Sequence, residues 1–110
     1  MRMWLVNPKH MCRKHLLGEH VELHMFIGTL KRKKSIQGFI DNNLLQLDQL
    51  YSRHEELVQE LINRGYNHNS NLQIIDLSYY KDYFYKYINK QQSKLDLFSR
   101  CKECNDRTNY

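Results

Sequence analysis

The stretch LDQLYSRHEELVQELINRG, residues 47–65, has the most regular helical pattern of this chain. Apolar side chains recur in it at steps of three and four residues, which is the repeat of a helix with one buried face. Arg64 and Gly65 then supply a basic last turn and a C′ glycine, a pair that typically ends a helix. The inner face of this helix is predicted to consist of Leu47, Leu50, Tyr51, His54, Leu57, Val58, Leu61 and Ile62.

An amphipathic pattern near the start of the chain predicts the first helix, from about residue 8 to residue 30. A short arm over residues 1–7 precedes it. Pro8 suits the first helical position, because the N–H that proline lacks would have no partner there. The inner face of this first helix is predicted to consist of Cys12, Leu16, Leu23, Phe26, Ile27 and Leu30.

The rest of the chain is less regular. Residues 31–38 predict a basic loop, residues 41–43 (DNN) predict a cap for the next helix, and residues 66–87, rich in Asn, Ser and Tyr, predict an irregular connection. A third helix is predicted over about residues 88–103. Its inner face would consist of Ile88, Leu95, Phe98 and Cys101.

Length and composition fit this picture. A chain of 110 residues predicts one domain over residues 1–110, and one Pro with four Gly disfavours an all-β fold of many short strands. We therefore expect an all-α fold, a compact three-helix single domain with long loops. The sequence shows neither a signal peptide nor an apolar run long enough to span a membrane, which predicts a cytoplasmic protein, associated with the nucleoid or, for a viral protein, inside the host cell. Three cysteines argue against a disulfide framework.

The positive charge is concentrated near the amino terminus. The formal net charge is +5, but residues 1–34 hold eight basic residues and two acidic ones, so eight minus two gives +6 for this third of the chain. Such an asymmetry is typical of a protein that binds a polyanion, most often nucleic acid, or else marks a solvated basic face. The candidate phosphate contacts are Lys31, Arg32, Lys33 and Lys34.

One polar cluster lies at the edge of the first helix's apolar face. His15, Glu19 and Glu22 follow the spacing i, i+4 and i+7, which places them on one side of a helix. A half-desolvated carboxyl group in such a cluster can acquire a pKa suited to proton transfer. Alternatively, both carboxylates pair with Arg13, Lys14 or a base at the amino terminus.

Two blocks of the sequence resemble a known family. HLLGEHVEL at residues 15–23, followed by Gly28, and RHEELVQE at residues 53–60, followed by RGYN at residues 64–67, resemble the first two helices of the pyrimidine-dimer DNA glycosylase/AP lyase family of the phage endonuclease V type. The resemblance covers roughly residues 1–67 and implies an all-α fold. It also implies a DNA-repair enzyme that acts on damaged double-stranded DNA as a monomer, without a metal or other cofactor.

In that family the amino-terminal α-amine attacks the sugar of the damaged nucleotide and passes through an imine to strand cleavage. An α-amine has an ordinary pKa of about 7.7–8.0, which leaves a useful neutral fraction at physiological pH. By position, the resemblance implies that Met1 supplies the amine and Glu22 the catalytic carboxylate. It further implies that Glu19 is a supporting acid, His15 a phosphate or base-pocket contact, and Arg2 a phosphate contact. A DNA-binding or regulatory module without catalysis is the alternative.

Several further patterns of cysteine, histidine and aromatic residues are each compatible with two interpretations. Cys101-x-x-Cys104 has the spacing of zinc ligands, with Cys12, His10 or His15 as further ligands, but a single such pair is equally compatible with reduced thiols, and we predict no metal.

His20 and His24, spaced i and i+4, suit either a metal or a DNA-facing surface. The aromatic residues 79–87 suit either base stacking or the cover of a small core. Trp4 suits either a wedge at a flipped nucleotide or burial against the first helix.

Overall fold

A computed structural model describes residues 1–67 and 70–109 of the chain. The described residues contain no strand, so the predicted all-α fold is confirmed. Three longer helices are accompanied by two short ones: α1 (Arg13–Lys31), α2 (Gln37–Asp41), α3 (Leu50–Asn63), α4 (Lys90–Arg100) and α5 (Lys102–Asp106). Single 3₁₀ turns occupy Pro8–His10, Leu47–Gln49 and Arg107–Asn109, and Ser78–Tyr83 forms a longer 3₁₀ segment with a kink at Tyr80.

Helix α1 starts later than the sequence predicts. Pro8 begins only a 3₁₀ turn, after which Met11 and Cys12 are extended, and α1 starts at Arg13. The interruption has a physical cause in Arg64, whose Nη2 donates to the carbonyl oxygens of Pro8 at 3.0 Å and Met11 at 2.7 Å. The predicted inner face is confirmed, because all six of its residues are buried.

Helix α3 agrees most closely with its prediction. Its apolar residues Leu50, Leu57, Val58 and Leu61 are buried, as is Leu47 in the preceding turn. Gly65 has φ +88°, the left-handed conformation that a C′ glycine adopts without strain. The same face of α3 packs against the inner face of α1 in one hydrophobic core. Ile62 is the exception to the predicted face, since its side chain is 50% exposed.

The predicted third helix is interrupted and partly rotated. Cys101 is extended, so α4 ends at Arg100 and α5 starts anew at Lys102. Leu95, which the sequence predicts on the inner face, is 55% exposed, whereas Leu97 is fully buried. The register is set by Ser93, whose hydroxyl donates to the Trp4 carbonyl oxygen at 2.5 Å and turns this side of α4 toward the amino-terminal arm.

The described connections between the helices contain short turns and local hydrogen bonds. Residues 41–43 end α2 and cap no later helix, because the Asn42 side chain donates to the Gly38 carbonyl at 2.8 Å. The connection after α3 is irregular apart from the turn Ser78–Tyr83, and its residues 68 and 69 lie outside the described part of the chain. Among the described residues, no helix is both long enough and apolar enough to cross a membrane.

Candidate active site at the amino terminus

The amino-terminal arm is built into the core. Met3 is fully buried, and its amide donates to the Leu44 carbonyl at 2.7 Å on one side of the arm. On the other side, Ser93 of α4 holds the Trp4 carbonyl. The arm is therefore fixed on both sides, and the two residues that precede Met3 are brought to the N-terminal half of α1.

A cleft of about 480 Å³ opens beside these two residues, a volume within the usual range of ligand sites. It lies between the arm, α1 and the end of α4. The residues that line it are Met1, Arg2, Trp4, Lys14, His15, Gly18, Glu19, Glu22, Leu44 and Arg100. The cleft thus brings together the predicted catalytic pair, Met1 and Glu22, with the predicted supporting residues Glu19 and His15 and the predicted phosphate contact Arg2.

Glu22 lies next to the first peptide unit of the chain. Its Oε2 accepts a hydrogen bond from the Arg2 amide at 3.2 Å, and its side chain is half-buried. The carboxylate is therefore one residue away from the Met1 amine, between the arm and α1. This position combines partial desolvation with access to the cleft, which are the conditions under which a carboxylate stabilises a nearby cation.

Glu19 lies one turn earlier on α1 and is in a different environment. Both of its carboxylate oxygens are held by Arg53 of α3, at 2.6 Å from Nε and 2.9 Å from Nη2, and both side chains are almost completely buried. The predicted alternative, in which Glu19 pairs with Arg13, Lys14 or an amino-terminal base, is wrong for this residue. A carboxylate with both oxygens in a buried ion pair joins the helices beneath the cleft and has no free oxygen turned to a ligand.

The sequence did carry a signal for this pair. Arg53 falls between Leu50 and Leu57 on the apolar face of α3, and Glu19 falls between Leu16 and Leu23 on that of α1. Two opposite charges on the inner faces of neighbouring helices must meet or be buried unpaired, and the second arrangement is costly.

Arg2 forms part of the cleft wall. Its guanidinium carbon lies 3.7 Å from the centre of the Trp4 ring, and its Nη2 donates to the Ser93 hydroxyl at 3.3 Å. Burial lowers the pKa of Arg2, and the charge of Arg100 is a second cause. Trp4 itself is buried against α1, as one of its two predicted roles required.

His15 closes the far side of the cleft. Its ring meets Trp4 edge-on at 5.8 Å, and its Nδ1 lies 3.2 Å from the Cys12 sulfur and 3.6 Å from the Cys104 sulfur. Burial lowers the pKa of His15, with the charge of Lys14 as a further cause, so the ring is neutral at pH 7. Burial likewise raises the pKa of the Cys104 thiol to about 12.

The basic residues divide into two groups. Lys31, Arg32, Lys33 and Lys34 are all exposed at the C-terminal end of α1. Lys31 lies nine positions after Glu22, so at 1.5 Å per residue the basic group starts about 14 Å along the helix from the cleft.

Lys14 and Arg100 lie in the cleft wall itself. Arg100 was missed, because only the packing of α4 against the arm brings it near Met1, and no local pattern marks it.

The histidine pair and the aromatic stretch are not among the residues that line the cleft. The side chains of His20 and His24 pack against His54 of α3, with ring centres 4.8–5.3 Å apart, so this pair lies between helices and does not stand free on the surface. In the aromatic stretch, Tyr80 is buried and donates to the Lys34 carbonyl at 2.6 Å, as a ring covering the core should. The exposed rings there are Tyr79, Tyr85 and Tyr87.

Comparison with known families gives one match. A family model described as pyrimidine dimer DNA glycosylase matches residues 1–74, about two thirds of the chain. The matched range contains every cleft residue except Arg100, and it ends before α4 and α5. No curated protein and no solved structure matches the chain significantly.

Proposed function

Since the chain belongs to the pyrimidine dimer DNA glycosylase family, we propose that it excises pyrimidine dimers or related lesions from duplex DNA and then cleaves the strand as an AP lyase. The proposed nucleophile is the α-amine of Met1, and the proposed catalytic carboxylate is Glu22. The observation that carries the proposal is the 3.2 Å hydrogen bond from the Arg2 amide to Glu22, which ties this carboxylate to the residue after the amine.

In the proposed reaction the amine nitrogen forms a bond to C1′ of the damaged nucleotide. The glycosidic bond breaks, its electron pair leaves with the base, and the base takes up a proton. The sugar ring opens to give an imine. Loss of a proton from C2′ and departure of the 3′ phosphate then break the strand, and water releases the amine. Each of these steps is nucleophilic or acid–base chemistry that side chains and a backbone amine perform.

Glu22 acts at two stages of this sequence. Its negative charge stabilises the cationic sugar as the glycosidic bond breaks, and its oxygens carry protons during ring opening and elimination. Partial burial strengthens both effects, because a charge acts over a given distance more strongly where water is excluded.

The neighbouring residues position these groups. The Glu19–Arg53 pair holds α1 against α3, so Glu19 acts as a positioning residue beneath the catalytic carboxylate. His15 forms the cleft wall against which a base or phosphate would pack. Arg2, together with Arg100, supplies positive charge beside the amine.

DNA binding extends the site along α1. Lys31, Arg32, Lys33 and Lys34 are proposed to contact phosphates, since exposed lysine and arginine side chains at the end of a helix can each displace a counterion from DNA. The proposed complex contains one protein chain and one damaged duplex, and the proposed chemistry uses no cofactor.

The proposal is tested with a duplex that carries a single cyclobutane pyrimidine dimer. We expect incision at the dimer, no incision of the undamaged duplex, and tighter binding to the damaged one. Equal binding to both duplexes without incision would contradict the proposal and support a binding module that keeps the fold without the chemistry.

A further inference from the structure

Two short motifs from opposite ends of the chain meet beside the cleft. Cys12 and His15 lie at the start of α1, and Cys101 and Cys104 lie at the start of α5, each pair separated by two residues. The three sulfur atoms and His15 Nδ1 all lie within 4.8 Å of one another. The structure therefore groups four potential metal ligands, of which only His15, as part of the cleft wall, has a place in the proposed reaction.

Two of the distances among these atoms match those of a tetrahedral zinc site, and a third is shorter. Zinc binds thiolate sulfur at about 2.3 Å and imidazole nitrogen at about 2.0–2.1 Å, so in a tetrahedron two sulfurs lie about 3.8 Å apart and a sulfur and a nitrogen about 3.6 Å apart. The Cys12 and Cys101 sulfurs are 3.8 Å apart. His15 Nδ1 is 3.2 Å from the Cys12 sulfur and 3.6 Å from the Cys104 sulfur.

Backbone amides support the sulfurs. The Cys12 amide points at the Cys104 sulfur at 3.2 Å, the His15 amide at the Cys12 sulfur at 3.5 Å, and the Cys104 amide at the Cys101 sulfur at 3.5 Å. Each donated N–H···S bond favours a negatively charged sulfur, which is the form that binds a metal. Ring orientation is also fixed, because His15 packs edge-on against Trp4.

From this geometry we propose that Cys12, His15, Cys101 and Cys104 bind one Zn²⁺ ion as a structural site. The three thiols release their protons to solvent when they bind, and the imidazole binds in its neutral form. Four protein ligands fill a tetrahedral site, so this ion has no open position for water or substrate and takes no part in the chemistry at Met1. This proposal departs from the sequence-based prediction of no metal, because the structure adds Cys12 and His15 to the single Cys-x-x-Cys pair.

The site joins two parts of the chain that the sequence alone does not connect. Cys12 and His15 lie within the matched range 1–74, whereas Cys101 and Cys104 lie outside it. The proposed ion fixes α5 against the start of α1 and thereby holds the end of α4, with Arg100, at the cleft. The proposed ion therefore acts on DNA repair indirectly, because it fixes the shape of the cleft wall.

The test is metal analysis of the full chain, purified without chelator. We expect about one equivalent of zinc per chain. Cys101→Ser and Cys104→Ser should each lower this content, while His24→Asn, in the separate histidine cluster, should leave it unchanged. Zinc absent from the parent protein, even after it is refolded with added Zn²⁺, would overturn the proposal. So would zinc that is lost in His24→Asn and retained in both cysteine variants.

A second measurement uses the parent protein alone, in case the cysteine variants do not fold. We expect Co²⁺ in place of zinc to give the thiolate-to-cobalt charge-transfer absorption of a tetrahedral sulfur-rich site. We also expect the three thiols to react with a thiol reagent only after a chelator is added. Thiols that react freely without chelator, or a disulfide between two of the three cysteines, would contradict the site.

Discussion

Two glutamates of α1, three residues apart, border the cleft in different environments: Glu22 opens onto it, whereas Glu19 belongs to the buried ion pair beneath it. Glu22 is half-buried, accepts one hydrogen bond from the Arg2 amide and faces the cleft. Glu19 is buried and has both oxygens bound by Arg53. Two residues of the same type on one helix thus have different roles: the carboxylate of Glu22 is available for chemistry, and that of Glu19 is held in the packed interior.

The two glutamates differ in the charged and hydrogen-bonding groups that surround their carboxylates. A buried carboxylate needs an opposite charge and several hydrogen bonds, and once it has them it contributes to structure. A carboxylate at the edge of a cleft needs fewer partners and keeps an oxygen for a substrate. The comparison therefore predicts that substitutions in the pair affect stability and that substitutions in the cleft affect turnover.

The largest effect is expected for Arg53→Met. This change leaves the charge of Glu19 buried without its partner, and breaking a buried pair in this way typically lowers the free energy of unfolding by about 3–5 kcal/mol. Denaturant unfolding measures it. The double variant Glu19→Leu with Arg53→Met should recover most of the loss, because two apolar side chains replace two charges. An Arg53→Met protein as stable as the parent would show that the pair does not hold α1 to α3.

Glu22→Gln is expected to act on turnover alone. It keeps the shape of the side chain and removes its charge, so glycosylase turnover should fall by a factor on the order of 10² or more, as when an electrostatic stabiliser is removed. Unfolding free energy should stay close to the parent's. DNA binding should persist or tighten, since one negative charge near phosphate is gone. The matched control is Glu55→Gln, which neutralises an exposed carboxylate on α3. It should change neither glycosylase turnover nor the free energy of unfolding.

Glu19→Gln completes the comparison. It should lower stability because Arg53 loses its counter-charge, while the turnover of the folded fraction should fall less than in Glu22→Gln. If Glu19→Gln were folded and inactive while Glu22→Gln turned over normally, the two carboxylates would have exchanged roles.

The smallest effects are expected at the basic group, 15 residues or fewer from either glutamate along the chain. Neutralising one of Lys31, Arg32, Lys33 or Lys34 should reduce the slope of log K against log[salt] by about 1, with turnover at saturating DNA unchanged. Binding titrations at several salt concentrations measure the slope. Lys90→Gln at the start of α4 is the control. An unchanged slope after all four are neutralised would place the DNA elsewhere.

Local patterns predicted the parts of the fold that depend on local interactions. The apolar repeat of α3 and its C′ glycine, Gly65, are properties of one segment, as is the i, i+4, i+7 spacing that placed His15 and Glu22 on one side of α1. These predictions needed no knowledge of the partner segments, which is why they agree with the structure.

Predictions that depended on distant partners were wrong or missing. The start of α1 is set by Arg64, which binds two carbonyls of the preceding turn, and the register of α4 is set by Ser93 on the Trp4 carbonyl. Arg100 reaches the cleft only through that register. The motif Cys101-x-x-Cys104 could be read from the sequence, but which residues complete the cluster could not, because His10 and His15 were equal candidates until α5 was placed.

Borohydride trapping on a duplex with one abasic site tests most directly whether the α-amine of Met1 is the nucleophile. We expect a covalent protein–DNA adduct whose peptide map places the DNA on the amine of Met1, and no adduct when that amine is blocked by an added amino-terminal extension. An adduct on Lys14, the lysine of the cleft wall, or an adduct that forms equally well with the amine blocked, would contradict it.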